Sequence, residues 1–145
     1  MDGGTCLAGP AAAGTNCEAA TLPGVPQSAG AARALASAAM AGTACPAAGD
    51  VLQVIGELVQ NVVRHSRSRL PGGEFTVALT VTPGESVLIE VQDQGPAPGP
   101  AAHVPRPRPG EPRESGMGLL LVAAVSESWG RDGRGLYWAR VNWAS

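Results

Sequence analysis

The sequence is short of aromatic residues, lysine, histidine and long apolar runs. Only 3% of its 145 residues are aromatic, as three Trp, one Tyr and one Phe, so a core has to be built from aliphatic side chains. All ten basic residues are Arg, and against twelve acids they leave a net charge of -2. With a pI near 5.6, this balance argues against a nucleic-acid module held by a basic face. No stretch approaches the ~18 consecutive apolar residues of a membrane-spanning helix. Met1-Asp2-Gly3-Gly4 lacks the basic start and apolar run of a secretory signal. A cytoplasmic location without a membrane partner is therefore expected. Histidine is confined to His65 and His103, too few for a His-rich metal site. The three cysteines, Cys6, Cys17 and Cys45, are odd in number and show no CxxC spacing. They read as free thiols in a reducing compartment.

What the chain does have is 20 Gly, 13 Pro and 25 Ala, 17 of the Ala within the first 50 residues. This bias, with Arg in place of Lys, suggests a GC-rich bacterial gene. The length suits one domain at roughly 100–200 residues per domain. Residues 1–20 carry no hydrophobic period and read as a disordered tail, leaving 21–145 as the folded domain. Leu22-Pro23-Gly24-Val25-Pro26 reads as a short extended or edge segment, and Ser28 to Met40 as an Ala-rich helix ended by Gly42 through Pro46.

The clearest helix follows Asp50, a plausible N-cap. Val51, Leu52, Val54, Ile55, Leu58, Val59, Val62 and Val63 recur at helical spacing, with Gln53, Glu57, Gln60, Asn61 and Arg64 on the opposite arc. Two alternating runs come next, Phe75 to Thr82 and Val87 to Gln92, joined by Pro83-Gly84-Glu85, which predicts an antiparallel hairpin. By parity Asp93 falls on the side of Val87, Ile89 and Val91, where a purely structural strand rarely carries a carboxylate. Between Gly95 and Gly116 seven prolines preclude regular structure, and a connection of that length is usually functional or disordered. Leu119 to Val125 then begins an apolar helix. Trp129 to Gly133 reads as a strand end and turn, and Leu136 to Trp143 as the last strand.

Three local features carry chemistry. Glu57 and Asn61, four residues apart on one helix, project about a turn from each other. A carboxylate and an amide oxygen so placed suit a hydrated Mg²⁺ and a nearby hydroxyl or water, although a solvated helix face carries the same residues. Asp93-Gln94-Gly95-Pro96 is a turn-forming pattern that also serves as an ordinary loop entry. Gly116-Met117-Gly118 enters a helix, where backbone N–H groups and the helix dipole favour phosphate; tight packing is the alternative.

In this order, E-L-x-x-N-x-x-x-H on a helix, D-x-G after a hairpin, a Pro/Gly loop, then G-x-G-L-x-L-V, the sequence resembles the ATP-binding domain of the GHKL superfamily, named for gyrase, heat-shock chaperone, histidine kinases and MutL. Leu22-Pro23-Gly24 and Trp138-Ala139 are similar to the stand-alone anti-sigma-factor and serine-kinase branch. The likeness runs from about Leu22 to the C-terminus.

The resemblance implies a two-layer α/β sandwich, with a mixed, mostly antiparallel sheet, helices on one face, and ATP bound between them. It assigns Glu57 as general base, Asn61 as Mg²⁺ ligand and Asp93 as acceptor for the adenine amino group. Gly95 lets the base approach the backbone, Gly116 and Gly118 lie near the phosphates, and 95–116 is the ATP lid. The implied function is an anti-sigma factor that phosphorylates a serine of its antagonist. Sigma factor and antagonist would be its partners, with no direct contact to nucleic acid, and a homodimer stays open. A non-catalytic, nucleotide-dependent binding module remains the alternative. A sensor histidine kinase would need a dimerisation domain, and a gyrase-type ATPase a longer and more basic chain. Three positions depart from the family: Leu136 stands where a Thr often helps bind adenine, Val62 replaces a small residue after Asn61, and the lid is rich in proline.

Overall fold

The computed structural model describes residues 15–65, 72–93, 114–131 and 135–143. Eight elements run in the order β1 (Asn16–Pro23), α1 (Ser28–Met40), α2 (Ala48–His65), β2 (Glu74–Thr82), β3 (Ser86–Gln92), α3 (Glu114–Val125), β4 (Ser128–Arg131) and β5 (Leu136–Asn142). The strands form one sheet ordered β1-β2-β3-β5-β4, in which every pairing is antiparallel. The fold is thus the two-layer α/β sandwich expected, and its sheet is antiparallel throughout the described residues rather than mixed.

The period-two pattern of β2 and β3 explains the layering. Phe75, Val77, Leu79 and Val81 share one face with Val87, Ile89 and Val91, and all are at most 2% exposed. They form a single core with Ala32, Ala36 and Ala39 of α1, with Val51, Val54, Ile55, Leu58, Val59 and Val62 of α2, and with Val122 of α3. All three helices therefore cover the same face. The small Ala side chains of α1 let it lie close to α2 without bulk of its own.

The hairpin register follows from its turn. Pro83 and Gly84 occupy the two central positions, Gly84 has φ +82°, and the Glu85 amide donates to the Thr82 carbonyl at 2.9 Å. A type II turn asks for this arrangement, because only glycine adopts the left-handed third position without strain. Thr82 pairs with Ser86, and each step back along the ladder keeps the apolar set on one side.

Four expectations need correction. Asn16–Ala20, assigned to the tail, belong to β1, whose pairing with β2 supplies the backbone partners that an isolated Ala-rich segment lacks; residues 1–14 lie outside the described chain. Asp50 is not an N-cap. The helix starts at Ala48, just after Pro46-Ala47, and Asp50 sits in its first turn, where a carboxylate still opposes the positive helix end. Helix α3 starts at Glu114 rather than Leu119, so the last three residues of the expected 95–116 lid are helical; 94–113 lie outside the described residues. Finally, the cysteines are not all free thiols: Cys17 is disulfide-bonded, whereas Cys45 is free. No described helix is long and apolar enough to cross a membrane.

Gly56 is buried in the middle of α2, and the side chain of Arg33 from α1 lies over the place a Cβ would occupy. Because Arg33 is exposed and flexible, its guanidinium has room to move aside. Gly56→Ala is therefore expected to be neutral or to stabilise the protein, by up to about 1 kcal/mol from helix propensity. Urea unfolding of both proteins checks this. A loss beyond about 1 kcal/mol would mean that Arg33 is fixed where it lies.

Candidate functional site

Helix α2 carries Glu57 and Asn61 one turn apart. Its apolar stripe docks on β3 and β5 and also on α3, which fixes its rotation. Glu57 is half-buried and Asn61 is only 9% exposed. Asn61 therefore does not lie on a solvated arc, as its position in the sequence suggested, but at the edge of the buried stripe beside Val62, which is 0% exposed. The larger side chain at Val62 is absorbed into the core.

Asp93 immediately follows β3 and continues its inward parity. It is 7% exposed, and its amide donates to the Gly135 carbonyl at 2.9 Å, extending the β3–β5 ladder by one rung. Gln92 Nε2 donates to the Asp93 carbonyl at 3.2 Å. The backbone on both sides of the carboxylate is thereby held, as a recognition group requires.

Two residues that the sequence did not mark belong to this end of the sheet: Tyr137 interacts with Asp93, and Arg131 with Tyr137. Tyr137 pairs with Val91 across β3–β5, which puts it on the helix-side face. Arg131 pairs with Tyr137 across β4–β5. The Tyr137 phenol is held above its ordinary value of 10.0, first by burial and then by the negative charge of Asp93. Arg131, through its charge and a hydrogen bond to the phenol, opposes this. No periodicity or motif distinguishes Tyr137 and Arg131; only strand pairing brings Tyr137 to Asp93 and Arg131 to Tyr137.

A raised phenol value means that the folded state keeps the proton the unfolded chain releases. The contribution is intact below about pH 10 and is lost as pH climbs through the folded value. Wild-type stability is expected to fall with pH above 10, and Tyr137→Phe to flatten that part of the profile. Urea midpoints between pH 8 and 11 provide the check; parallel profiles would place the phenol in solvent.

The register also locates Leu136. It pairs with Gln92, on the sheet face away from the helices, so the residue that shares a face with Asp93 at this end of β5 is Tyr137. Gly116 and Gly118 both lie within the first five residues of α3, and Gly116 belongs to the first turn, whose N–H groups lack partners within the helix. Gly95 lies outside the described residues. Arg64 is exposed at the end of α2. Helix α2, which carries Glu57 and Asn61, packs against β3, β5 and α3, the elements that carry or adjoin the other candidate residues.

The family model of the histidine kinase-like ATPase domain matches residues 22–137. The chain belongs to the histidine kinase-like ATPase family. Its match covers β1 from Leu22, all three helices and the start of β5, and so contains every candidate site residue. Membership supports an ATP-binding regulatory role. Among curated proteins no match is found.

Proposed function

We propose that the protein is an anti-sigma factor with serine kinase activity, which binds ATP with Mg²⁺ and phosphorylates a serine of its antagonist. The observation that carries the reading is Asp93: a carboxylate buried at the inner end of a core strand, backbone-anchored on both sides, in a domain of this family. A carboxylate is an acceptor, and an adenine amino group is a suitable donor to it.

The residues present fit both groups. Glu57 and Asn61 offer hard oxygen donors of the kind Mg²⁺ takes, and Mg²⁺ is usually held by one or two side chains together with substrate phosphates. Substrate phosphates would complete the shell. When bound, the ion supplies charge neutralisation on the transferring phosphoryl group. Asn61 would hold the ion through its amide oxygen. Glu57 accepts the proton of the attacking serine hydroxyl. Asp93 would accept the hydrogen bond of the adenine amino group, Gly95 would let the base approach, and the N–H groups around Gly116 and Gly118 would bind the phosphates.

Asp93→Asn exchanges an acceptor for a partial donor at the adenine edge. ATP affinity is expected to fall by about 1–3 kcal/mol, the cost of leaving a buried donor unpaired. Calorimetric titration of both proteins measures it, and equal affinities would take Asp93 out of the site.

The function itself is tested with radiolabelled ATP, Mg²⁺ and small antagonist proteins encoded near this one. Label on an antagonist serine is the expected result. An antagonist that binds in an ATP-dependent manner but never acquires label would favour the non-catalytic binding module instead. That alternative has its own basis, because a fold shared with kinases does not establish turnover. Failure to bind ATP would overturn both readings.

A further inference from the structure

Strand β5 sends one aromatic side chain to the face that carries Asp93. Tyr137 pairs with Val91, and Asp93, two residues beyond Val91, is its diagonal neighbour on the helix-side face. Diagonal positions lie about 7–8 Å apart, within reach of an aromatic side chain. On the other flank Tyr137 pairs with Arg131 of β4, whose side chain hydrogen-bonds the phenol. Arginine can only donate, so the phenol oxygen is the acceptor.

Tyr137 borders the core without being enclosed by it. Its ring packs against the buried cluster, yet the residue is only half-buried. Part of an aromatic surface thus stays uncovered on the face, and at the end of the sheet, where the buried Asp93 sits. A tyrosine has two side-chain torsions and gives rigid contact area at low entropic cost. Packed along its ring and tethered at its hydroxyl, Tyr137 is held in place before any ligand arrives, which lowers the cost of binding.

On the ATP-binding reading proposed above, we infer that Tyr137 forms one wall of the nucleobase subsite. Its ring touches the flat heterocycle whose exocyclic amino group donates to Asp93, and Arg131 is a positioning residue that holds the phenol. The two groups divide the work. Every base has a π-face, so an aromatic wall adds affinity without choosing among heterocycles. Asp93, when ionised, only accepts, and therefore favours a base that presents an amino group.

Tyr137 is the only tyrosine of the chain, so 3-fluorotyrosine incorporated into the full-length protein gives a single fluorine resonance. At pH 7, ATP with Mg²⁺ should shift that line. Purine riboside triphosphate, which lacks the amino group, should shift it too, whereas inorganic triphosphate, which has no base, should leave it in place. By calorimetry Tyr137→Ala should bind ATP about three- to tenfold more weakly, the range of an aromatic contact. Tyr137→Phe, which keeps the ring, should bind it almost as the wild type does. In Arg131→Leu the fluorophenol should titrate at higher pH, because Arg131 lowers the phenol's value, and ATP should bind severalfold more weakly.

The line might also stay where it is: if saturating ATP is bound, and still weakened by Asp93→Asn, an unmoved line removes Tyr137 from the subsite and leaves the ATP reading intact. A line moved equally by inorganic triphosphate would assign the shift to the phosphates and likewise overturn the contact. An unchanged titration in Arg131→Leu would overturn the positioning role. Absence of ATP binding to the wild type would overturn the reading itself and this inference with it.

Discussion

Glu57→Ala is expected to lower phosphoryl transfer to the antagonist by about 10²–10⁴-fold, the usual contribution of a positioned general base. ATP affinity should stay close to that of the wild type, because the proposed role of Glu57 concerns the serine proton and not the nucleotide. The substitution is mild for the fold. Glu57 is half-buried on α2, outside the hydrophobic core, and alanine is the better helix former. Single-turnover transfer and calorimetric ATP binding, measured on the same preparation, separate the two effects. Asn61→Ala makes the useful contrast, since loss of the Mg²⁺ ligand should weaken Mg²⁺-dependent binding as well as transfer. If transfer survives in Glu57→Ala, another group takes the proton; if ATP binding collapses instead, Glu57 is a nucleotide ligand.

Phe75→Ala is expected to destabilise the protein by about 3–5 kcal/mol, as for other buried aromatic truncations. That is a large part of the roughly 5–15 kcal/mol of a typical domain. Phe75 is the only Phe of the chain and, among the described residues, the largest fully buried side chain, 2% exposed at the start of β2. Its neighbours in the core are mostly Val and Ala. Stiff β-branched side chains and short ones cannot reach into the vacated volume, so the cavity term stays nearly whole. Denaturant unfolding of both proteins gives the difference. A change under about 1 kcal/mol would show that β1 and β2 collapse around the site instead of leaving a cavity.

Most of the fold was legible because its signals are local and repetitive. The α2 stripe from Val51 to Val63, the alternation of Phe75–Val81 and Val87–Val91, and the Pro83-Gly84 turn each encode one element and one buried face. Asp93 could be placed inward by parity alone, and its 7% exposure agrees. Element ends were less legible. Asp50 looked like a cap and Leu119 like a helix start, because capping and first-turn preferences overlap and glycines at 116 and 118 masked the true beginning of α3.

By itself, then, the sequence determined most of the elements, the side of β2 and β3 on which each side chain falls, and the order of motifs that marks the family. It did so because periods of 3.6 and 2 are properties of the chain's own geometry. Only the tertiary structure decided what depends on pairing between distant segments. Asn16–Ala20 are a strand because β2 offers a free edge, not because their own residues favour one. Tyr137 reaches Asp93, and Arg131 reaches Tyr137, through the β3–β5–β4 register, and Leu136 is turned away by the same register. Cys17 meets Thr80 across sixty-three positions of sequence. Such contacts are set by the packing of the whole domain, whose energy is shared among many residues, and no local pattern records them.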